Sequence, residues 1–201
     1  MEKKEKKGSI FDSTIEAFQS FLRVPNTVTK SGSHVRDCND LKRVMIIVVV
    51  ALIPTLLFGI YNIGDQHSIA AGIDMGFWQK VWFGILKILP LYLVSYIVGL
   101  GIEFASAQIR GHEVNEGYLV TGMIIPLIVP ITTPLWILAL AVAFAVIIGK
   151  EVFGGTGMNI WNPALLARAF LFFAYPSKMS GDEVFIRTSD TFGLGAGQIV
   201  E

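Results

Sequence analysis

The chain has 201 residues, of which 53% are hydrophobic and only 16% charged, a balance more apolar than a soluble domain of this size carries. Its 16 basic and 16 acidic residues cancel, but nine of the basic ones (Lys3, Lys4, Lys6, Lys7, Arg23, Lys30, Arg36, Lys42, Arg43) precede residue 44, so charge is concentrated in an amino-terminal extension and the rest is lipid-compatible. A membrane setting is expected and no nucleic-acid partner. The single cysteine, Cys38, excludes an internal disulfide, and Cys38, His34, His67 and His112 lie at no zinc or iron–sulfur spacing, so no metal site of that kind is expected.

Residues 1–43 form the extension. Within it Ile10, Phe11, Ile15, Phe18, Phe21 and Leu22 recur at helical spacing, and Ser13 with Glu16 can form a capping box. The pattern suits an amphipathic helix on a membrane or partner surface, or one packed in a small soluble head. Pro25 then breaks it. The first apolar run begins only at residue 44, whereas a signal peptide has its apolar core within roughly the first 30 residues, so this run reads as an anchor that stays.

A transmembrane bundle is expected over 44–176, all helical, with five spans or partial spans. Residues 44–64 are long enough to cross a bilayer, which takes ~20 residues. A polar loop over 65–80, with Asp65, Gln66, His67, Asp74 and one Lys80, is expected outside, leaving the basic amino terminus cytoplasmic. Residues 81–102 form the second span, with Lys87 placed to snorkel, Pro90 as a kink, and Trp78 and Trp82 as interfacial anchors. The run from Gly117 to Gly149 is free of charge but is divided by Pro126, Pro130 and Pro134 into a short piece, 118–130, and a better helix, 135–149. Broken backbone at membrane depth requires cover from protein or a water-filled cavity, and such breaks commonly line ion or substrate sites. A short segment over 160–176 follows, then a polar, glycine-rich stretch over 177–201.

Ionisable residues inside such spans are functional candidates. Glu103 is the clearest, as a ligand for Na⁺ together with carbonyls near Gly99 and Gly101, or as an interfacial carboxylate paired with Arg110. The string from His112 to Gly117 could supply donors to a quinone head group or be a solvated loop. Gly154, Gly155, Thr156 and Gly157 make a turn whose amides could approach a ligand, and Asn159 and Asn162 are expected to share a helix face suited to the polar edge of a flavin ring. The alternative is a re-entrant loop whose glycines serve packing. Arg168 beside Phe170, Phe172, Phe173 and Tyr175 offers a cation and aromatic surfaces to a planar ligand, or forms part of an interfacial belt.

The strings TVTKSGSHVRDCNDLKR, GHEVNEG and GKEVFGGTGMNIWNPALLARAFLFFAYP resemble the NqrB/RnfD family, and within it the flavin-carrying membrane subunit of bacterial sodium-translocating NADH:quinone reductases, over about residues 25–182. The membrane subunit of ferredoxin:NAD⁺ reductases resembles the later strings as well. The resemblance implies a subunit of about ten helices in the bacterial inner membrane, working with five other subunits to move electrons from NADH to ubiquinone or menaquinone while exporting Na⁺. It implies riboflavin near Asn159 and Asn162, sodium uptake at Glu103, and quinone near Gly99, Glu116, Gly117, Tyr118, Phe170 and Phe172. It also implies FMN linked to a threonine in a Ser-Gly-Ala-Thr motif, which this sequence lacks. Neither Thr188 nor Thr191 has the preceding residues, so the chain is expected to be an amino-terminal fragment, inactive when isolated. Leu100 stands where the family pattern has a second glycine after Gly99. A channel or passive transporter for a small solute is the rival reading, since proline-broken spans also suit selectivity filters.

Overall fold

The computed structural model describes residues 31–33, 41–110, 117–181 and 186. The amphipathic stretch expected over 9–22, Glu116 with the preceding polar string, and Thr188 and Thr191 lie outside the described residues. The helices in chain order are α1 (Leu41–Ala71), α2 (Phe77–Arg110), α3 (Gly117–Ile128), α4 (Leu135–Gly149), α5 (Pro163–Ala174) and the single turn α6 (Pro176–Met179), with a 3₁₀ turn over Glu151–Phe153 after α4.

The β-branched residues that crowd α1 are mediocre helix formers in water, but in lipid a helix satisfies every backbone group internally, and that outweighs propensity. Among the described residues, three stretches are long and apolar enough to cross a membrane, Arg43–Ala71, Phe77–Ile109 and Leu135–Phe153, while the helices Gly117–Ile128 and Pro163–Ala174 are too short. The fold is a polytopic membrane helix bundle. Outward-facing Ile47, Leu57 and Phe58 on α1 are exposed, as lipid-facing side chains are.

The loop expected over 65–80 is mostly helix. α1 continues to Ala71 and α2 already begins at Phe77, so only a short link joins them. Asp65, His67 and Lys80 are accommodated between the two helices. Lys80 Nζ binds Asp65 Oδ1 at 2.6 Å, and the His67 ring stacks on Phe83 with centroids 4.0 Å apart. Lys87 does not snorkel outward. It is buried with its ammonium 5.1 Å from the centre of the Phe83 ring, because it lies one turn along the same α1-facing stripe. Trp78 and Trp82 remain exposed near the start of α2, where interfacial anchors belong.

The break between α3 and α4 is covered by protein. Pro130, Ile131 and Thr133 are buried, and Thr133 N donates to Pro130 O at 3.1 Å, closing the turn between the two prolines. The core is built on α4, whose Leu138, Ala141, Val142, Ala145 and Val146 have no exposed surface. Small residues at i, i+4 spacing let α5 approach through Ala164 and Ala167, which are equally buried.

α1 and α2 meet as closely as their backbones allow. A Cβ on Gly84 would collide with the Ile60 carbonyl oxygen, whereas one on Gly101 would meet open space. Gly84→Ala is expected to separate the two helices and destabilise the subunit by roughly 1–3 kcal/mol. Gly101→Ala is expected to be neutral. Thermal unfolding of the two variants of the detergent-solubilised full-length subunit checks this, and equal midpoints would show that the close approach is not needed.

Candidate functional site

Two arrangements stand out at the end of the bundle where α2 finishes and α4 gives way to the Gly-rich turn. The first is ionic. Glu103 on α2 and Lys150, just beyond α4, form a buried ion pair with side-chain exposures of 3% and 4%. Glu103 uses Oε1 for this bond, and its Oε2 is buried without a hydrogen-bond partner. The pairing with Arg110 weighed from sequence involves a side chain outside the described residues; the partner observed is Lys150. One turn along α2 from Glu103, Ser106 Oγ donates to Glu151 Oε2. Ser106 and Glu151 thus extend the polar contact between α2 and the end of α4.

The second arrangement is a groove of about 450 Å³, lined by Met45 of α1, Gly117, Val120, Thr121 and Ile124 of α3, then Lys150, then residues from Thr156 to Pro163. Its wall is shaped by the glycine turn. Gly154 and Gly155 adopt φ +113° and +96°, a region open to glycine at little cost, and turn the chain back so that Gly155 N donates to Lys150 O at 3.1 Å. Of the four loop candidates, Thr156 and Gly157 line the groove, while Gly154 and Gly155 set the turn that presents them. Thr156 Oγ1 is buried without a hydrogen-bond partner.

Asn159 and Asn162 both line this groove, but they do not share a helix face. Asn159 lies in the irregular segment before α5, where its Oδ1 accepts from Gly157 N at 3.2 Å and its Nδ2 donates to Trp161 O at 2.9 Å. Asn162 is the N-cap of α5, accepting from Ala164 N at 2.9 Å with Pro163 at the first helical position. The Asn-Pro pair is a cap signature, so the helix starts after the second asparagine. That cap uses Asn162 Oδ1 and leaves Nδ2 to donate elsewhere.

The quinone candidates divide. Tyr118 is fully buried against Gly99, where a Cβ would overlap the tyrosine ring, so the two residues fill each other's space. The Tyr118 hydroxyl donates to Ser95 O at 2.7 Å. Gly117 lines the groove instead. Phe170 is half-buried and stacks on Phe144 with centroids 4.7 Å apart, whereas Phe172 is exposed and meets Phe173 edge-on. Arg168 is exposed as well.

Sequence reasoning missed Lys150 as a site residue, since it directly follows the expected span 135–149. The available signal was a lysine ending a long charge-free run, with an acid at the end of the second expected span, 81–102.

Helix lengths, a protein-covered break and a buried charge pair together define a polytopic membrane protein with a polar site inside its bundle. Residues 28–196 match the family described as NQR2, RnfD, RnfE, and the chain belongs to that family. It is 43% identical over 207 aligned residues to the B-subunit of the Na(+)-translocating NADH-quinone reductase of Chromohalobacter salexigens, an alignment that covers 92% of this chain and 50% of that protein. The protein of the same name from Stutzerimonas stutzeri is 46% identical, with 90% of this chain and 51% of that protein covered. For Pseudomonas aeruginosa the figures are 45%, 85% and 48%. The chain therefore spans about half the length of the curated relatives it matches.

A buried ion pair that loses one member leaves an uncompensated charge, at a cost of about 3–5 kcal/mol. Glu103→Gln and Lys150→Met are each expected to destabilise the full-length subunit on that scale, and the double variant to recover most of the loss. Thermal unfolding of the four forms as a double-mutant cycle measures the coupling. Additive losses would mean that the two side chains are not paired in the protein.

Proposed function

We infer that the chain belongs to the membrane subunit of a redox-driven sodium pump that passes electrons from NADH through FMN and riboflavin to ubiquinone or menaquinone and exports Na⁺. The names of its relatives support the reading. The observation that carries it is an adjacency: a groove of ligand size and a buried carboxylate meet at one residue, Lys150. Such a subunit sits in the bacterial inner membrane with its basic amino terminus in the cytoplasm, among five other subunits.

The residues present fit a flavin. The groove falls in the range of small-molecule sites, ~300–1,000 Å³, and combines apolar walls with a few polar groups. Thr156 Oγ1, buried without a partner, and the free Nδ2 of Asn162 are the polar groups that a ring edge would engage. Asn159 braces the loop through its two backbone bonds, and Trp161 supplies an aromatic wall. When bound, the flavin supplies the electron-transfer chemistry. The protein holds it and fixes its surroundings. Quinone would approach on the side of Gly117, because Gly99 and Tyr118 pack on each other and bound the space rather than open it. Glu103, with one carboxylate oxygen unused, is the residue for Na⁺, a hard cation that takes oxygen ligands.

The test is flavin content. The full-length subunit assembled with its partner subunits is expected to contain flavin released by denaturation, and the Asn159→Ala/Asn162→Ala double variant to lose most of it while any covalently attached flavin is retained. Absence of flavin from the unaltered complex would sink the reading and favour a passive transporter.

A further inference from the structure

Lys150 has two environments within reach of one side chain. Its ammonium sits on Glu103 Oε1 inside the bundle, and the same residue forms part of the groove wall between α3 and the Thr156–Pro163 segment. The backbone around it is non-helical, with φ −127° and ψ −60°, and its carbonyl accepts from both Phe153 N and Gly155 N. The backbone is thus fixed by the glycine turn, while the long side chain can still rotate about its own bonds. Lys150 also borders the groove, which gives its side chain open space to enter when it leaves the carboxylate.

The carboxylate it leaves is half used. Oε1 holds the ammonium and Oε2, in a residue 4% exposed, has no partner. A monovalent cation reaching Glu103 from the groove meets an acceptor oxygen already present, but also meets the lysine charge about one ionic contact away. At so short a distance in a poorly solvated setting, repulsion between the two cations is strong. Both cannot be held by Glu103 at once.

We propose that Lys150 is a tethered competitor for the sodium ion at Glu103, setting how tightly the carboxylate takes Na⁺ by occupying it and withdrawing into the groove when the ion binds. The proposal rests on the reading of Glu103 as a sodium ligand and adds to it a residue that determines affinity. It assigns Lys150 a positioning role, acting through Glu103.

The two kinds of change at Lys150 have opposite expected signs, which a merely structural role would not produce. Methionine keeps the length and removes the charge, so the competitor is lost and Na⁺ binding tightens by about tenfold, the factor set by losing one charge-assisted hydrogen bond. Arginine keeps the charge and can grip the carboxylate with two parallel bonds, so Na⁺ binding weakens.

The experiment measures binding of radioactive Na⁺, and the rise of the unfolding temperature with Na⁺ at constant total salt, for the assembled complex carrying full-length unaltered subunit, Lys150→Met, Lys150→Arg, Glu103→Gln or the Glu103→Gln/Lys150→Met pair. Tighter binding and a steeper Na⁺-dependent stabilisation in Lys150→Met, weaker binding in Lys150→Arg, and no effect of Lys150→Met once Glu103 is Gln are expected. Should Lys150→Met fail to assemble, Lys150→Arg decides by its sign. If Glu103→Gln weakens Na⁺ binding while the Lys150 variants leave it unchanged or shift it the other way, Lys150 is not a competitor. If Glu103→Gln leaves Na⁺ binding untouched, the sodium reading of Glu103 fails, and the proposal with it.

Discussion

Inside a bilayer there is no water to accept a stray backbone hydrogen bond, and this constraint organises the chain more than any single contact does. Proline makes the constraint visible, since each one removes a donor. Pro126 lies four residues after Gly122, so the Gly122 carbonyl lacks its usual donor within α3. Ser95 of α2 supplies one, with Oγ 3.2 Å from that oxygen. On the same stripe of α2, Tyr96 donates to Leu119 O at 2.8 Å and Tyr92 to Met123 O at 3.2 Å. A helix too short to span and weakened by its own proline is held to a long helix by hydroxyl groups. In lipid such bonds carry weight because the alternative is a polar group facing hydrocarbon.

The same accounting extends to the groove. The Pro130–Pro134 turn is closed by a backbone bond and buried under protein, Asn162 caps α5, and the glycine turn ties back to Lys150 O. The non-helical backbone at both ends of α4 is thus tied by local bonds. Among the described residues, the buried side-chain atoms left without a partner are Glu103 Oε2, Thr156 Oγ1 and Thr133 Oγ1. Two of the three belong to the arrangements at one end of the bundle.

Much of this is legible in the sequence. Charge-free apolar runs mark α1, α2 and α4, and three prolines in one such run mark the covered break, because both follow from what lipid allows. The expected loop over 65–80 fails because Asp65, His67 and Lys80 look like loop residues until a neighbouring helix supplies Lys80 to Asp65 and Phe83 to His67. Glu103 is legible as an acid at depth. Its partner is marked only by the charge-free run that Lys150 ends, since the pair joins residues 47 positions apart and depends on how α2 and α4 pack. Asn159 and Asn162 are recognisable as polar residues of the right kind, but their three-residue spacing suggests a helical face although Pro163 already announces a helix start. Tyr118 illustrates the converse: its proximity to the motif is legible, whereas its full burial against Gly99 depends on the α2–α3 approach.

Stability alone is a weak account of the Glu103–Lys150 pair. Two well-packed apolar side chains in its place would hold α2 to α4 at least as firmly, because desolvating two charges costs about as much as their attraction returns. Membrane helices carry such groups at a cost wherever they occur. The pair also leaves one carboxylate oxygen unmatched, which a purely structural contact has no reason to do. The arrangement is better matched to exchange than to permanence: a compact ammonium on a flexible stem can release a carboxylate, whereas a guanidinium bound through two bonds holds on. Lysine at position 150, beside a groove rather than sealed under an apolar layer, is the choice that permits that release.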